Sequence, residues 1–145
     1  MPAFDIDYSE GLKVGYKWFD AEKKEPLFAF GYGLSYTTFA YSGLRASMDS
    51  VSFTVRNTGK RAGAEIAQVY AGLPAAANEP PKRLVAWEKV PLEAGQSKTV
   101  TLRLDPKFLS IFNEQKDDWE LLPGEYKLFV GGSSRRAPLS ATVTR

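Results

Sequence analysis

The sequence contains no cysteine and no histidine, and these two absences exclude several classes of chemistry. Without cysteine there is no disulfide and no thiolate nucleophile, and without either residue there is no Cys or His zinc site. The lack of histidine also excludes a Ser-His-Asp triad. Any catalysis would have to use carboxylates, tyrosine, lysine or serine, and we expect no cofactor. The absence of cysteine fits the cytoplasm and the periplasm equally well.

Long apolar runs and clusters of basic residues are also missing. No apolar run approaches the roughly 20 residues of a membrane span, so we expect no membrane partner. The formal net charge is +2 and the cations are scattered, which argues against a nucleic-acid partner. We interpret the densest basic spot, Arg135 and Arg136, as a solvated loop. The acidic start "MPAFDIDYSEG" lacks the apolar segment of a signal peptide.

The composition of the 145 residues is that of a globular protein, with 43% hydrophobic and 25% charged residues. A chain of this length buries roughly 70% of its unfolded surface, so it needs neither disulfides nor metal to fold. From residue 49 onward, apolar and polar residues alternate with the period of a β-strand. In "DSVSFTVRN" the apolar positions are Val51, Phe53 and Val55. "AEIAQVYAGL" is apolar on both faces, as a central strand would be.

These patterns predict about seven strands after residue 38, separated by turn signals, and one short helical turn in "DPKFLSIF". The expected fold class is all-β: an immunoglobulin-like or fibronectin III-like antiparallel β-sandwich with an irregular N-terminal extension. The predicted domain division is 1–37 for the extension and 38–145 for the sandwich. Tyr126, directly after a Pro-Gly turn, is predicted to form a tyrosine corner or, alternatively, to be an ordinary half-buried strand tyrosine.

Aromatic residues are concentrated at the N-terminal end, where 11 of the 19 lie within the first 41 residues. Either they complete the sandwich core or several of them cover a neighbouring domain, because large apolar patches seldom stay bare on a monomer. The candidates for domain docking are Phe28, Phe30, Tyr32, Tyr36 and Phe39. Self-association through residues 26–41 is a further alternative.

Carboxylates are the only plausible catalytic set. Glycoside hydrolysis, for example, requires two of them close together. Asp117, Asp118 and Glu120 surround Trp119, but their polar context favours a solvated hairpin. Asp5 and Asp7 lack the further ligands of a calcium loop, so we expect no metal site. Asp20 is expected to cap a turn.

Five separated blocks, in order, carry a resemblance to a known family. They are "YSEGLKVGYKWFD", "PLFAFGYGLSYTTFAYSGL", "VRNTGKRAGAEIAQVY", "PKRLVAWEKVPLEAGQSKTV" and "LLPGEYKLFVGGSSR". Together they resemble the C-terminal end of glycoside hydrolase family 3 enzymes, the β-glucosidases, β-xylosidases and their relatives. Ala29 and Lys17 stand where the family often has proline and arginine; Ala29 loosens the linker slightly.

The resemblance implies a fibronectin type III-like domain preceded by a linker. In the family, the nucleophilic Asp lies in a barrel domain and the acid/base Glu usually in a second domain. No part of this chain matches either region, so the resemblance supplies no catalytic residue and no sugar specificity. Family members are often periplasmic or secreted.

The expected function is therefore a non-catalytic accessory module, whose partners would be the catalytic domains of a parent glycosidase. An alternative is a carbohydrate-binding module that uses exposed aromatic rings as a sugar platform. Trp87 and Trp119 are the candidates for it, although the strand pattern predicts that Trp87 is half-buried. The third hypothesis is a protein-interaction domain that dimerises through residues 26–41.

Overall fold

The structure is a computed structural model that describes residues 5–145. Its elements in chain order are one short helix and nine strands: α1 (Tyr16–Ala21), β1 (Phe39–Ala46), β2 (Ser50–Asn57), β3 (Gly63–Gly72), β4 (Arg83–Leu92), β5 (Ser97–Arg103), β6 (Ile111–Asn113), β7 (Asp118–Glu120), β8 (Glu125–Gly131) and β9 (Leu139–Thr144). Two 3-10 turns, Ala75–Ala77 and Pro106–Leu109, lie between strands.

The strands form two main antiparallel sheets and one hairpin. The three-stranded sheet has the order β1-β2-β5, and the four-stranded sheet has the order β4-β3-β8-β9. β6 and β7 pair only with each other. The predicted all-β sandwich is confirmed, and β3 is the central strand that its apolar sequence indicated, since it pairs with both β4 and β8.

The core lies between the inner faces of the two sheets. The three predicted inward residues of β2, namely Val51, Phe53 and Val55, are fully buried there. They pack in one cluster with aliphatic residues of β3, β4, β5 and β8. Alternation along β2 therefore gave the correct inward face, because an antiparallel strand places every second side chain in the core.

The helical turn in "DPKFLSIF" is present as the 3-10 turn Pro106–Leu109, and the Asp105 carboxylate caps it by accepting a hydrogen bond from the amide of Lys107 at 2.9 Å. Two expectations were incomplete. The described residues contain nine strands instead of about seven, and α1 is a helix that the sequence pattern did not predict. Six residues are too few to display a helical period.

β1 is an edge strand with an interrupted ladder. Its register against β2 shifts between Ser42 and Arg45, and Gly43 in this interval has φ +67°. A residue without a Cβ adopts this backbone conformation without strain, so the glycine permits the irregularity.

Candidate functional site: the N-terminal extension and its exposed surface

Within the N-terminal extension, residues 5–37, the segment 16–31 lies against the outer face of the four-stranded sheet. Val69 and Ala71 of β3 belong to the core. Because side chains alternate along a strand, Gln68 and Tyr70 point to the opposite face. Tyr70 is nonetheless fully buried. The ring of Tyr16 from α1 meets it edge-to-face at a centroid distance of 5.9 Å. The extension therefore covers part of a sheet face that alternation alone assigns to solvent.

Tyr16 holds the extension to the sheet in two ways. Its ring stacks on Phe30 with the centroids 4.7 Å apart, and its hydroxyl accepts a hydrogen bond from the backbone amide of Leu84 in β4 at 2.7 Å. Burial raises the pKa of the Tyr16 hydroxyl above its usual value. Phe30, a predicted docking residue, therefore uses one face of its ring inside the chain.

Asp20 forms a buried ionic contact at the end of α1. One carboxylate oxygen is 2.6 Å from Nζ of Lys82, and the other is 3.1 Å from Nε of Arg135. The Asp20 side chain is only 4% exposed. Arg135 also donates to the backbone carbonyls of Phe19 and Lys24, at 3.4 and 2.8 Å.

This contact corrects one sequence-based expectation and adds to another. Asp20 was expected to cap a turn, but it pairs with Arg135 across more than 100 residues of sequence. Arg135 lies in an exposed loop, as expected, and makes this ion pair from there. No local pattern reports such a distant pair. The acidic residue after "KWF" was the only available signal, and it is not specific.

Backbone contacts extend the attachment to Gly31. The amide of Ser134 donates to the carbonyl of Phe30 at 2.8 Å. Gly31 has φ +80°, and a Cβ at this position would lie 2.3 Å from the side chain of Gln68. Gln68 cannot easily move away, because it is buried and its side-chain amide donates to the carbonyl of Gly132 at 2.7 Å. Only glycine fits this approach.

On both sides of Gly31 the extension exposes apolar side chains. Leu34 and Tyr36 are each 92% exposed, and Phe28 stacks on Tyr32 at 5.6 Å with both rings open to solvent. We call Leu27, Phe28, Tyr32, Leu34 and Tyr36 the exposed surface. Phe39 is different from the other predicted docking residues, because it packs against the sandwich core.

Trp87 does not match its predicted burial. It was expected to be half-buried, but 59% of it is exposed on the outer face of β4, opposite Gln68 of β3. The strand is an edge strand at this point and the extension does not reach over it. Ile66 on β3 is exposed beside it, and a groove of about 370 Å³ joins Ile66 to Tyr32 and Leu34.

Trp119 lies on the separate β6–β7 hairpin and is 45% exposed. It contacts Phe112 edge-to-face at 5.7 Å, and Nζ of Lys107 sits 4.9 Å from its ring centroid. The neighbouring Glu120 is engaged by Asn113 and Lys116, at 2.6 and 2.8 Å. Trp87 lies on β4 and Trp119 on β7, so the two candidate rings come from different elements.

Tyr126 opens β8 and is fully buried. Its hydroxyl donates a hydrogen bond to the carbonyl of Leu122 at 2.7 Å, across the Pro-Gly turn. This is the geometry of a tyrosine corner. Burial is the main cause that raises the pKa of Tyr126.

Among residues 5–145, no cluster of three or more acidic side chains could hold a metal ion. The same range contains no helix that is both long and apolar enough to cross a membrane. The first four residues of the acidic N-terminal start lie outside the described residues.

Comparison with known proteins identifies the sandwich. Residues 65–134 match the model of the fibronectin type III-like domain. The thermostable β-glucosidase B of Acetivibrio thermocellus is 42% identical over 147 aligned positions, which cover 95% of this chain and 20% of that enzyme. A probable β-glucosidase L of Aspergillus fumigatus is also 42% identical, over 89% of this chain and 21% of its own length.

Solved structures agree with the sequence relatives. The family 3 β-glucosidase of Bifidobacterium adolescentis matches with a TM-score of 0.89 and 39% identity, over 95% of this chain and 21% of that one. β-Glucosidase 3B of Thermotoga neapolitana, solved with α-D-glucose, has a TM-score of 0.87 and 39% identity over 94% of this chain. The chain thus spans about one fifth of the length of the relatives it matches.

Proposed function

The chain carries a fibronectin type III-like domain of the family 3 β-glucosidase type, and from this premise we propose that it is a non-catalytic accessory module. It would dock to the catalytic part of a parent glycosidase through the exposed surface and stabilise or position that part. Support comes from the near-complete coverage of this chain against one fifth of each relative.

The observation that carries the docking proposal is the exposure of Leu34 and Tyr36, which is nearly complete at 92% each. Side chains of this size contribute roughly 1.5 to 3 kcal/mol each when they are buried. Aromatic residues are also enriched at interfaces, because they combine a large apolar area with a polar tip. A partner that covered these two residues and the stacked Phe28–Tyr32 pair would be held firmly.

A chimera tests this proposal. The matched segment of the A. thermocellus β-glucosidase is replaced by this chain, with and without the double change Leu34→Ser and Tyr36→Ser. We expect the double variant to lower the melting temperature of the chimera by several degrees while the isolated chain is unaffected. Phe112→Ser on the hairpin is the control; because Phe112 also contacts Trp119, the change of each variant in the chimera is taken relative to its change in the isolated chain. If the double variant and the control lower the melting temperature of the chimera equally, docking at this surface is refuted.

The absence of catalysis needs its own measurement. The purified chain is assayed on nitrophenyl glucoside and nitrophenyl xyloside, and no turnover above background is expected. Turnover that survives repurification and is lost in an Asp118→Asn or Glu120→Gln variant would contradict the non-catalytic assignment.

Carbohydrate binding is a second candidate function, favoured by the exposure of Trp87 and Trp119, at 59% and 45%. Exposed indole rings can stack on the apolar faces of sugars. Affinity electrophoresis in soluble glucans separates this function from docking. Retardation that disappears in Trp87→Ala or Trp119→Ala, but not in Trp18→Phe, would support it, and unchanged mobility of the parent chain would exclude it.

Self-association through residues 26–41 uses the same exposed surface as docking. Size-exclusion chromatography of the chain and of its Leu34→Ser, Tyr36→Ser variant distinguishes the two. A dimer that the double change converts to a monomer would favour self-association. A monomer in both cases removes this alternative and leaves docking unaffected.

A further inference from the structure

The segment of the extension around α1 is tied to the sandwich at several points. From these ties we infer that Asp20 is a positioning residue that makes this segment a rigid bracket, and not a flexible tether, between the sandwich and the residues before α1. What the rigid segment would be for rests on the proposed function.

The position of the two cations is the first step. Lys82 directly precedes β4, and Arg135 lies in the loop that follows β8. β3 runs between β4 and β8 in the sheet. One carboxylate on α1 therefore contacts groups on both sides of β3, at 2.6 and 3.1 Å. Two contacts on opposite sides restrict rotation of α1 over the sheet, which a single contact would not.

The surroundings of Asp20 strengthen this restriction. Its side chain is 4% exposed, whereas those of Lys82 and Arg135 are 16% and 32% exposed. A carboxylate withdrawn from water in this way is costly unless it stays paired. If α1 moved away, Asp20 would regain hydration, but Arg135 would lose its hydrogen bonds to the carbonyls of Phe19 and Lys24. The guanidinium therefore holds both the side chain and the backbone of this segment.

The aromatic contacts add a second, uncharged tie on the same side of the sheet. Tyr16 contacts Tyr70 and Phe30 at 5.9 and 4.7 Å, and its hydroxyl accepts from the amide of Leu84. These contacts fix the start of α1, and Asp20 fixes its end. A short helix held at both ends has a defined direction, so the chain that enters it has one too.

Spin-label distance measurements test the bracket directly, and the natural absence of cysteine makes the labelling specific. Labels are placed at Lys23→Cys, just after α1, and Thr99→Cys on β5, both exposed positions. We expect a single narrow distance distribution in the otherwise unchanged chain. Asp20→Asn, which keeps the shape but removes the charge, is expected to broaden it, as is Asp20→Ala.

Glu88→Gln is the matched control, because Glu88 also loses an ion pair, but an exposed one with Lys98. It is expected to leave the distribution narrow. Amide exchange of residues 16–24 gives a second readout: about tenfold faster in Asp20→Ala, which corresponds to about 1.4 kcal/mol of local stability, with β2 unchanged. If Asp20→Ala does not fold, Arg135→Gln replaces it.

Two results would overturn the inference. One is a broad distribution in the unchanged chain, which would mean that the extension is a tether. The other is a distribution that stays narrow in both Asp20 variants, which would mean that Asp20 does not position it. Because both measurements use this chain alone, either failure leaves the docking proposal standing, and failure of the chimera leaves the bracket standing.

Discussion

The two faces of the four-stranded sheet are covered by different chemistry. The inner face is closed by aliphatic side chains and by Phe53 of the opposite sheet, all in one cluster. The outer face is closed in part by Tyr16 and Phe30 over Tyr70, and by the Asp20 ion pairs. The inner face depends chiefly on burial of apolar area, whereas the outer face depends on directed contacts. The first determines whether the chain folds, and the second determines how the extension is placed.

The largest expected loss of stability comes from removing a buried core ring, and it is compared with the removal of a half-exposed ring. Phe53→Ala removes a fully buried ring from the core and leaves a cavity, so we expect a loss of about 3 to 5 kcal/mol in the free energy of unfolding. Phe108→Ala removes a half-exposed ring and should cost well under half as much. Urea denaturation measures both. Similar losses would show that burial in the core does not decide the cost of losing an aromatic ring.

A pH titration examines the outer face. Burial raises the pKa of Tyr70 far above its ordinary value near 10, with smaller contributions from Tyr16 and Asp20. The unfolded chain therefore loses this proton first, and stability falls as the pH rises above about 10, by at most about 1.4 kcal/mol per pH unit for one tyrosine. Below that pH the stability contribution is fully present.

Tyr70→Phe is the variant that assigns the effect. We expect a shallower decline of unfolding free energy between about pH 10 and 11.5 than in the parent chain, because one raised hydroxyl is gone. Tyr36→Phe is the control, since Tyr36 is exposed. An identical slope in all three proteins would contradict the assignment to Tyr70.

Tyr126 offers a smaller and more local test. Tyr126→Phe keeps the buried ring but removes the hydrogen bond to the carbonyl of Leu122, so we expect a loss of about 0.5 to 1.5 kcal/mol. Thermal or chemical denaturation is sufficient to measure it. If Tyr126→Phe is as stable as Tyr36→Phe, the corner contributes nothing to stability.

The smallest effect is expected at the exposed surface. Leu34→Ser should change the stability of the isolated chain by no more than about 0.5 kcal/mol, because Leu34 has almost no contacts to lose. A loss above about 1 kcal/mol would show that Leu34 is buried in solution, by the sandwich or by a second copy. Repeating the denaturation at two protein concentrations separates these cases.

The same contrast explains what the sequence could predict. Val51, Phe53 and Val55 follow the strand period, and Asp105 before Pro106 is a local capping signal, so both features were predicted correctly. Local patterns are sufficient there because neighbours in sequence determine the outcome.

The outer face could not be predicted in this way. Asp20 meets Lys82 and Arg135 only after the sheet has brought distant segments together, and α1 is too short to display a period. Trp87 was misjudged because its strand pattern does not reveal that the extension stops short of it. The docking role of Phe28, Phe30, Tyr32 and Tyr36 stays a prediction, as does the domain boundary after residue 37.

The interrupted ladder of β1 has a consequence for how neighbours can approach the sandwich. The register shift between Ser42 and Arg45 makes the backbone of this edge irregular, so its free amide and carbonyl groups are not evenly spaced. An incoming strand would find no regular template there, so strand addition is disfavoured along this side. Side-chain contacts are then the more accessible means of association along this edge.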